Sequence, residues 1–247
     1  TRDLFADFGE FTLNGIALNR WRDDPVLDDY GLRVYIRLKN QKPFCAMPGP
    51  DETLNREESV EFFPHFARFT RSKVSIGTEL EVFVCPEPDA EVRVLTLENT
   101  SHRALEVEVS CAFEPVLCRI EHDVAHPAFS SLFLECSADE GNRLLLCKRR
   151  SRSSDQPQVC AGAWLVGDRR EVEFVYCLDR EQLTKGGLGN IKTKSPHPVM
   201  AWGARLTVPA RSTRRVEIVV CMAPDPETVY GHFSVMKTMA AVGNAME

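Results

Sequence analysis

Glu121, His122, Asp123 and His126 place four ionisable groups within six residues, and Pro127 follows at once. A carboxylate and an imidazole within reach of each other can share a proton with a substrate, which is general acid–base chemistry. Three or four such groups converging on one point would instead hold a metal. His122 and His126 are four apart, but Pro127 opposes a continuous helix that would present both on one face. On residue type alone, the simplest reading is a loop in which Asp123 and His126 satisfy turn backbone groups. Contact with a sugar or a neighbouring domain is a second reading, and catalysis or metal binding a third.

Arg20, Trp21 and Arg22 form another constellation. An indole face suits the apolar face of a pyranose, and a guanidinium is a forked donor for hydroxyls or phosphate. The competing reading packs Trp21 between sheets and pairs the arginines with Asp23, Asp24, Asp28 or Asp29. Trp202, in the stretch Pro196 to Trp202, is equally ambiguous, whereas Trp164 lies in an apolar run and reads as core. Gly186, Gly187 and Gly189 lack the Lys-Ser/Thr of a phosphate loop and read as a turn. Arg149, Arg150 and Arg152 read as a solvated basic loop, with phosphate or partner contact as the alternative. No Gly-x-Ser-x-Gly nucleophile elbow occurs. The reading therefore assigns no catalytic residue, metal or cofactor to this chain.

The elements that must carry these residues are strands. Arg33–Leu38, Leu80–Val84 and Leu105–Cys111 alternate apolar with polar side chains, the period of a half-buried strand. Turn residues at 86–89, 99–101, 139–142 and 209–212 divide them. This predicts an all-β chain, a large antiparallel sandwich, over residues 1–222. Val229, Phe233, Met236 and Met239 recur at helical spacing, so residues 223–247 are expected to form a helical linker leading out of the sandwich. Residues 149–158 are the expected mobile loop. The chain has 247 residues and a net charge of −6, which argues against a large basic face for nucleic acid. No apolar run reaches the roughly 18 residues of a membrane span. Nine cysteines without a Cys-x-x-Cys pair read as reduced, buried thiols of a cytoplasmic protein. The absence of an initial Met fits an excised domain.

Four segments, in order, carry a family resemblance. They are Asn19 to Asp24 with Asp28 to Arg37; Glu79 to Asn99; Glu106 to Leu117; and Asp123 to Glu135 with Leu144 to Arg150. Together they resemble the β-supersandwich domain of cellobiose and chitobiose phosphorylases and of cyclic β-1,2-glucan synthases, a glycosyltransferase 36-like family. The chain departs from the family pattern at Phe8–Gly15, at Phe44–Cys45 and at Leu183–Gly187. The resemblance implies a non-catalytic domain that braces an (α/α)6 barrel of the same parent chain, which would hold the catalytic acid, and shapes its substrate entrance. The implied parent reaction is phosphorolysis or transglycosylation of β-linked glucosides or oligosaccharides, and homodimerisation is a further role. Arg20, Trp21, Arg22, Asp123, His126 and Trp202 are then the expected carbohydrate or interdomain contacts. A stand-alone carbohydrate-binding module for β-glucans, using Trp21 and Trp202, is the alternative.

Overall fold

The computed structural model describes residues 11–20, 31–48, 54–73, 75–85, 87–151, 158–192 and 196–238. The chain opens with β1 (Thr12–Leu13), β2 (Ile16–Asn19), β3 (Arg33–Leu38), β4 (Phe44–Cys45) and β5 (Ser59–Phe62). Next come β6 (Phe66–Lys73), β7 (Ile76–Cys85), β8 (Ala90–Asn99), β9 (Leu105–Phe113) and β10 (Pro115–Cys118). Two short helices follow, α1 (Ile120–Ala125) and α2 (Pro127–Ser131), and then β11 (Leu134–Asp139), β12 (Leu144–Arg149), β13 (Cys160–Val166) and β14 (Val172–Asp179). Helix α3 (Arg180–Gly186), β15 (Pro198–Val208), β16 (Thr213–Ala223) and α4 (Pro226–Met236) complete the described chain.

Among the described residues the strands form three antiparallel sheets, in the orders β11-β12-β13-β16-β8-β7-β6-β5, β14-β15-β9-β3-β4 and β1-β2-β10. The two larger sheets close face to face over one apolar layer. Leu80, Leu95, Leu145, Ala163 and Ile218 of the first meet Val34, Ile36, Val109, Trp202 and Leu206 of the second. Along β3, β7 and β9 the neighbours of these inward residues are largely polar, as alternation predicts. The all-β sandwich expected from the sequence is thus the observed architecture.

β13 departs from alternation: all seven of its residues are buried. Ala161, Ala163 and Leu165 face the shared layer, and Cys160, Trp164 and Val166 face the other way. That second face is covered by α4, whose Val229, Phe233 and Met236 pack on Trp164, Val219 and Cys221. Phe233 meets the Trp164 ring edge to face, 5.8 Å between centroids. The start of α4 is fixed by Asp225, whose carboxylate accepts from Thr228 N at 2.7 Å, and by Pro226 in its first turn. The helix expected after Pro226 therefore exists, but it lies against the sandwich instead of leading out of it, because the sheet beneath is apolar on both faces. Met239 and the rest of the expected linker lie outside the described residues.

Two glycines sit at close approaches, Gly203 between neighbouring strands of one sheet and Gly162 between sheet and helix. A Cβ on Gly203 in β15 would stand 1.9 Å from the Val109 carbonyl oxygen of β9, a backbone atom with no room to retreat. A Cβ on Gly162 would stand 2.4 Å from Val229 Cγ1 and 3.0 Å from Cys221 Sγ, so Gly162 is the seat of α4. Gly162→Ala is expected to lower unfolding free energy by about 1–3 kcal/mol through overpacking. Adding Val229→Ala should recover part of that loss; urea unfolding of the two single variants and the double variant measures the coupling.

One charged group lies in the same outer layer. Glu217 is fully buried on β16, opposite Val94 and Val166 in register, with Arg215 Nη2 2.8 Å from Oε1. Loss of solvent, only partly offset by Arg215, pushes its carboxyl up to about 7. A carboxyl that binds its proton more tightly folded than unfolded favours the fold at low pH. Between its ordinary value near 4.5 and about 7, that contribution is lost as pH rises. Glu217→Gln should therefore gain stability over the native chain across this window. The difference should level off above about pH 7 at no more than roughly 3 kcal/mol, read from urea midpoints at several pH values.

Candidate functional site

The segment read as a loop is two short helices meeting at a corner. Pro127 ends α1 and occupies the first turn of α2, where its missing N–H costs nothing. His126 caps both helices, with φ −149° and ψ 74°, and its carbonyl accepts from Ser130 N at 2.9 Å. Pro127 does interrupt the helix, as expected, but it also starts the next one, so the loop expectation is corrected to a helical corner.

The corner inverts the usual distribution of polarity. Asp123 is buried, and Arg20, which directly follows β2, grips it with a fork. Arg20 Nε donates to Oδ2 at 2.7 Å and Nη2 to Oδ1 at 2.9 Å. The remaining arm of Arg20, Nη1, donates to Glu114 Oε2 at 2.5 Å, and Arg180 Nη1 reaches Glu114 Oε1 at 2.9 Å. Arg20 N also donates to the Glu114 carbonyl at 2.8 Å. The network locks β2, the β9–β10 junction, α1 and α3 together. Planar two-point pairing of this kind is the strongest geometry available to a carboxylate in a protein. The helix α2 is anchored from the other side. Arg149 Nη1 donates to the Val116 and Ser130 carbonyls at 3.0 and 3.2 Å, and its guanidinium lies 5.6 Å from the Phe133 ring centroid.

Meanwhile three apolar side chains face outward: Val124 is 66% exposed, Phe129 50% and Leu132 51%. His122 and His126 are exposed beside them. Among the described residues, His126 makes no hydrogen bond to Asp123, whose two oxygens are held by Arg20. The arrangement is therefore not an acid–base dyad.

The other expected contacts fall differently. Trp202 is fully buried in the shared layer, edge to face with Phe113 at 5.9 Å, so it offers no face to a sugar; this corrects its expected role. It lies inward because β15 places Met200, Trp202 and Ala204 on the core face. Trp21, Arg22 and the acidic residues at 23, 24, 28 and 29 lie outside the described residues, as does Arg152. Of the arginines expected in a solvated basic loop, Arg149 is half-buried and structural, while Arg150 is exposed as expected, its Nη2 donating to the Leu132 carbonyl at 3.0 Å and its Nε pairing with Glu135 at 3.3 Å. Trp164 is core, as read, and Gly186 and Gly187 form the end of α3. The described cysteines are free thiols, and no cluster of three metal-ligating side chains occurs among the described residues.

A concavity of about 1120 Å³ lies over the outer face and one end of the five-stranded sheet. Its charges largely satisfy one another: Glu108 holds Arg37 at 2.5 Å and Arg205 at 2.9 Å. Tyr176 Oη donates to Glu140 Oε1 at 2.6 Å, and burial together with that carboxylate pushes its phenol up. Sequence reading missed both the Arg20–Asp123 fork and the outward apolar triplet. The fork joins residues 103 apart, and no local pattern reports such a pairing. The triplet lies on helical turns too short to show a period.

Arg20→Met should cost about 3–5 kcal/mol by leaving Asp123 buried without its partner. His126→Ala should stay within about 0.5 kcal/mol, as expected of an exposed side chain. Equilibrium urea unfolding of the two variants beside the native chain checks the contrast.

Residues 11–237 match the family model described as glycosyl hydrolase 94, supersandwich domain. The cyclic beta-(1,2)-glucan synthase NdvB of Rhizobium meliloti (strain 1021) is 29% identical over 147 residues, which cover 59% of this chain and 5% of that protein. The chain thus spans a small fraction of the curated relative it matches. A bacterial glucoamylase solved in complex with acarbose superposes on 100% of this chain and 36% of its own, with a TM-score of 0.50 and 11% identity; that likeness is one of fold. No helix among the described residues is long and apolar enough to cross a membrane.

Proposed function

We propose that this chain, which belongs to the glycosyl hydrolase 94 supersandwich family, braces the catalytic domain of a larger carbohydrate-active enzyme and shapes its substrate entrance. The catalytic partner in this reading is an (α/α)6 barrel of the same parent protein. The parent acts on β-linked glucosides, as a glycoside phosphorylase or a glucan transglycosylase. In this reading α4 docks on the sandwich and the residues after it lead on toward the barrel.

The observation that carries this reading is the inverted polarity of the α1–α2 corner. The carboxylate that could have served chemistry is buried in the Arg20 fork, while Val124, Phe129 and Leu132 face outward on a rigidly anchored surface. Clustered exposed apolar side chains with a fixed backbone are what a docking surface requires. The chemistry is then supplied by the partner. The alternative of a β-glucan-binding module loses Trp202, one of its two aromatic platforms, to the core.

In the full-length parent, Phe129→Glu combined with Leu132→Glu should lower turnover by about tenfold or more by displacing the domain from its partner. The same pair in the 247-residue chain should shift stability by only about 0.5 kcal/mol, as surface changes do. Unchanged parent kinetics and thermal midpoint would refute the docking role. Saturable heat from β-glucan oligosaccharides titrated into the isolated chain would favour the binding-module reading instead.

A further inference from the structure

β11 and β12 pair antiparallel with Cys136 directly opposite Cys147. Opposed residues on such strands have Cα atoms about 4.5–5.5 Å apart, within the roughly 4.4–6.8 Å that a disulfide spans. The two Sγ atoms stand 2.8 Å apart, and both are free thiols. They share the inner face of the sheet, since Cys147 belongs to the core layer and Cys136 packs against it.

Their access to solvent differs. Cys147 is fully buried. Cys136 is half-buried and lines an open cleft of about 700 Å³ at the sandwich edge, beside Leu134, Pro196 and Pro198. A small reagent entering the cleft meets Cys136 first. Burial, reinforced by Cys136 itself, holds the Cys147 thiol well above its ordinary range; shut off from the cleft but 2.8 Å from Cys136 Sγ, Cys147 is placed for the second step and not the first. Cys160, one strand further along, belongs to the opposite face beneath α4 and does not share this space.

We propose that Cys136 and Cys147 are a redox modification site, forming a reversible cross-strand disulfide when a hydroperoxide enters the edge cleft. In the first step the Cys136 thiolate attacks a peroxide oxygen. The O–O bond breaks, hydroxide leaves from hydrogen peroxide, and the sulfur, having given up two electrons, becomes a sulfenic acid. In the second step Cys147 Sγ attacks Cys136 Sγ. The S–O bond breaks, the S–S bond forms, and the departing oxygen leaves as water with the thiol proton. A dithiol reductant returns both thiols. The bond would fix the edge strand β11 to β12, directly after the α1–α2 corner. The site stands independently of the docking role proposed above.

The test is treatment of the 247-residue chain with hydrogen peroxide, followed by alkylation and peptide mapping by mass spectrometry. The expected result is one linked peptide pair, Cys136 with Cys147, loss of two of the nine thiols, and full recovery with dithiothreitol. Cys147→Ser should leave a sulfenic acid at Cys136 that dimedone traps, and Cys136→Ser should leave Cys147 unmodified at the same dose. Oxidation of Cys136 to sulfinic acid in the native chain without linkage, linkage to another cysteine, or an unmodified Cys136 would each overturn the proposal. The map of the native chain decides the matter even where a variant fails to fold.

Discussion

Two sheets sharing one apolar layer is the constraint from which the other features follow. Every inward position of β3, β9, β15 and β16 is claimed by that layer, whatever the chemical appeal of the residue occupying it. Trp202 is the clearest case: its indole serves as core volume, and even its ring nitrogen lacks a hydrogen-bond partner. The same rule places Cys136 and Cys147 side by side, because residues opposed in register on adjacent strands must point to the same face. The rule also generates α4. A strand at the centre of a wide sheet, such as β13 or β16, accumulates apolar residues on both faces, and the second face needs a cover. Gly162 and Val229 show that the cover is fitted closely.

Buried charge is the second organising feature, and it is used to join elements distant in sequence. Arg20 holds Asp123 and Glu114; Arg71 holds Glu58 at 3.0 Å and reaches the Cys45 and Met47 carbonyls; Arg93 pairs with Glu91 and reaches the Leu32 carbonyl. Each guanidinium reaches a segment well removed from it in sequence. Burying such pairs is costly in desolvation and adds little net stability over an apolar replacement. What the pairs supply is position, since a forked donor tolerates only one placement of its acceptor. Glu217 is the contrasting case, a carboxylate in an apolar layer whose single contact to Arg215 does not offset its loss of solvent.

These two features explain which parts of the molecule could be read from the sequence. β3, β7 and β9 alternate because one face of each is wetter along most of its length, so their inward positions were legible directly. β13 reads as a featureless apolar run because both its faces are dry, and nothing local distinguishes its two cover layers. The helical corner was misread as a loop because Pro127 was taken only as a terminator, although the first turn of a helix is also where proline fits. The Asp123 and His126 pairing was a reasonable inference from adjacency. It failed because Arg20, a partner invisible at that range, holds both Asp123 oxygens with two aligned donors.

The scaffold has a direction. An isolated domain gains nothing by burying Asp123 while exposing Val124, Phe129 and Leu132; reversing the two would hydrate the carboxylate and remove apolar surface from water. The inversion is held by interactions that leave the corner little freedom to relax: the Arg20 fork beneath α1, Arg149 beneath α2, and the α2–β11 connection tied by Arg150. Rigidity matters because a surface that must order itself on contact loses side-chain and backbone entropy at that moment, whereas a preformed one does not. Buried arginines that fix an apolar face outward thus shift the cost of organisation from association to folding, where the sandwich core can offset it. That division suits the bracing role proposed for this domain.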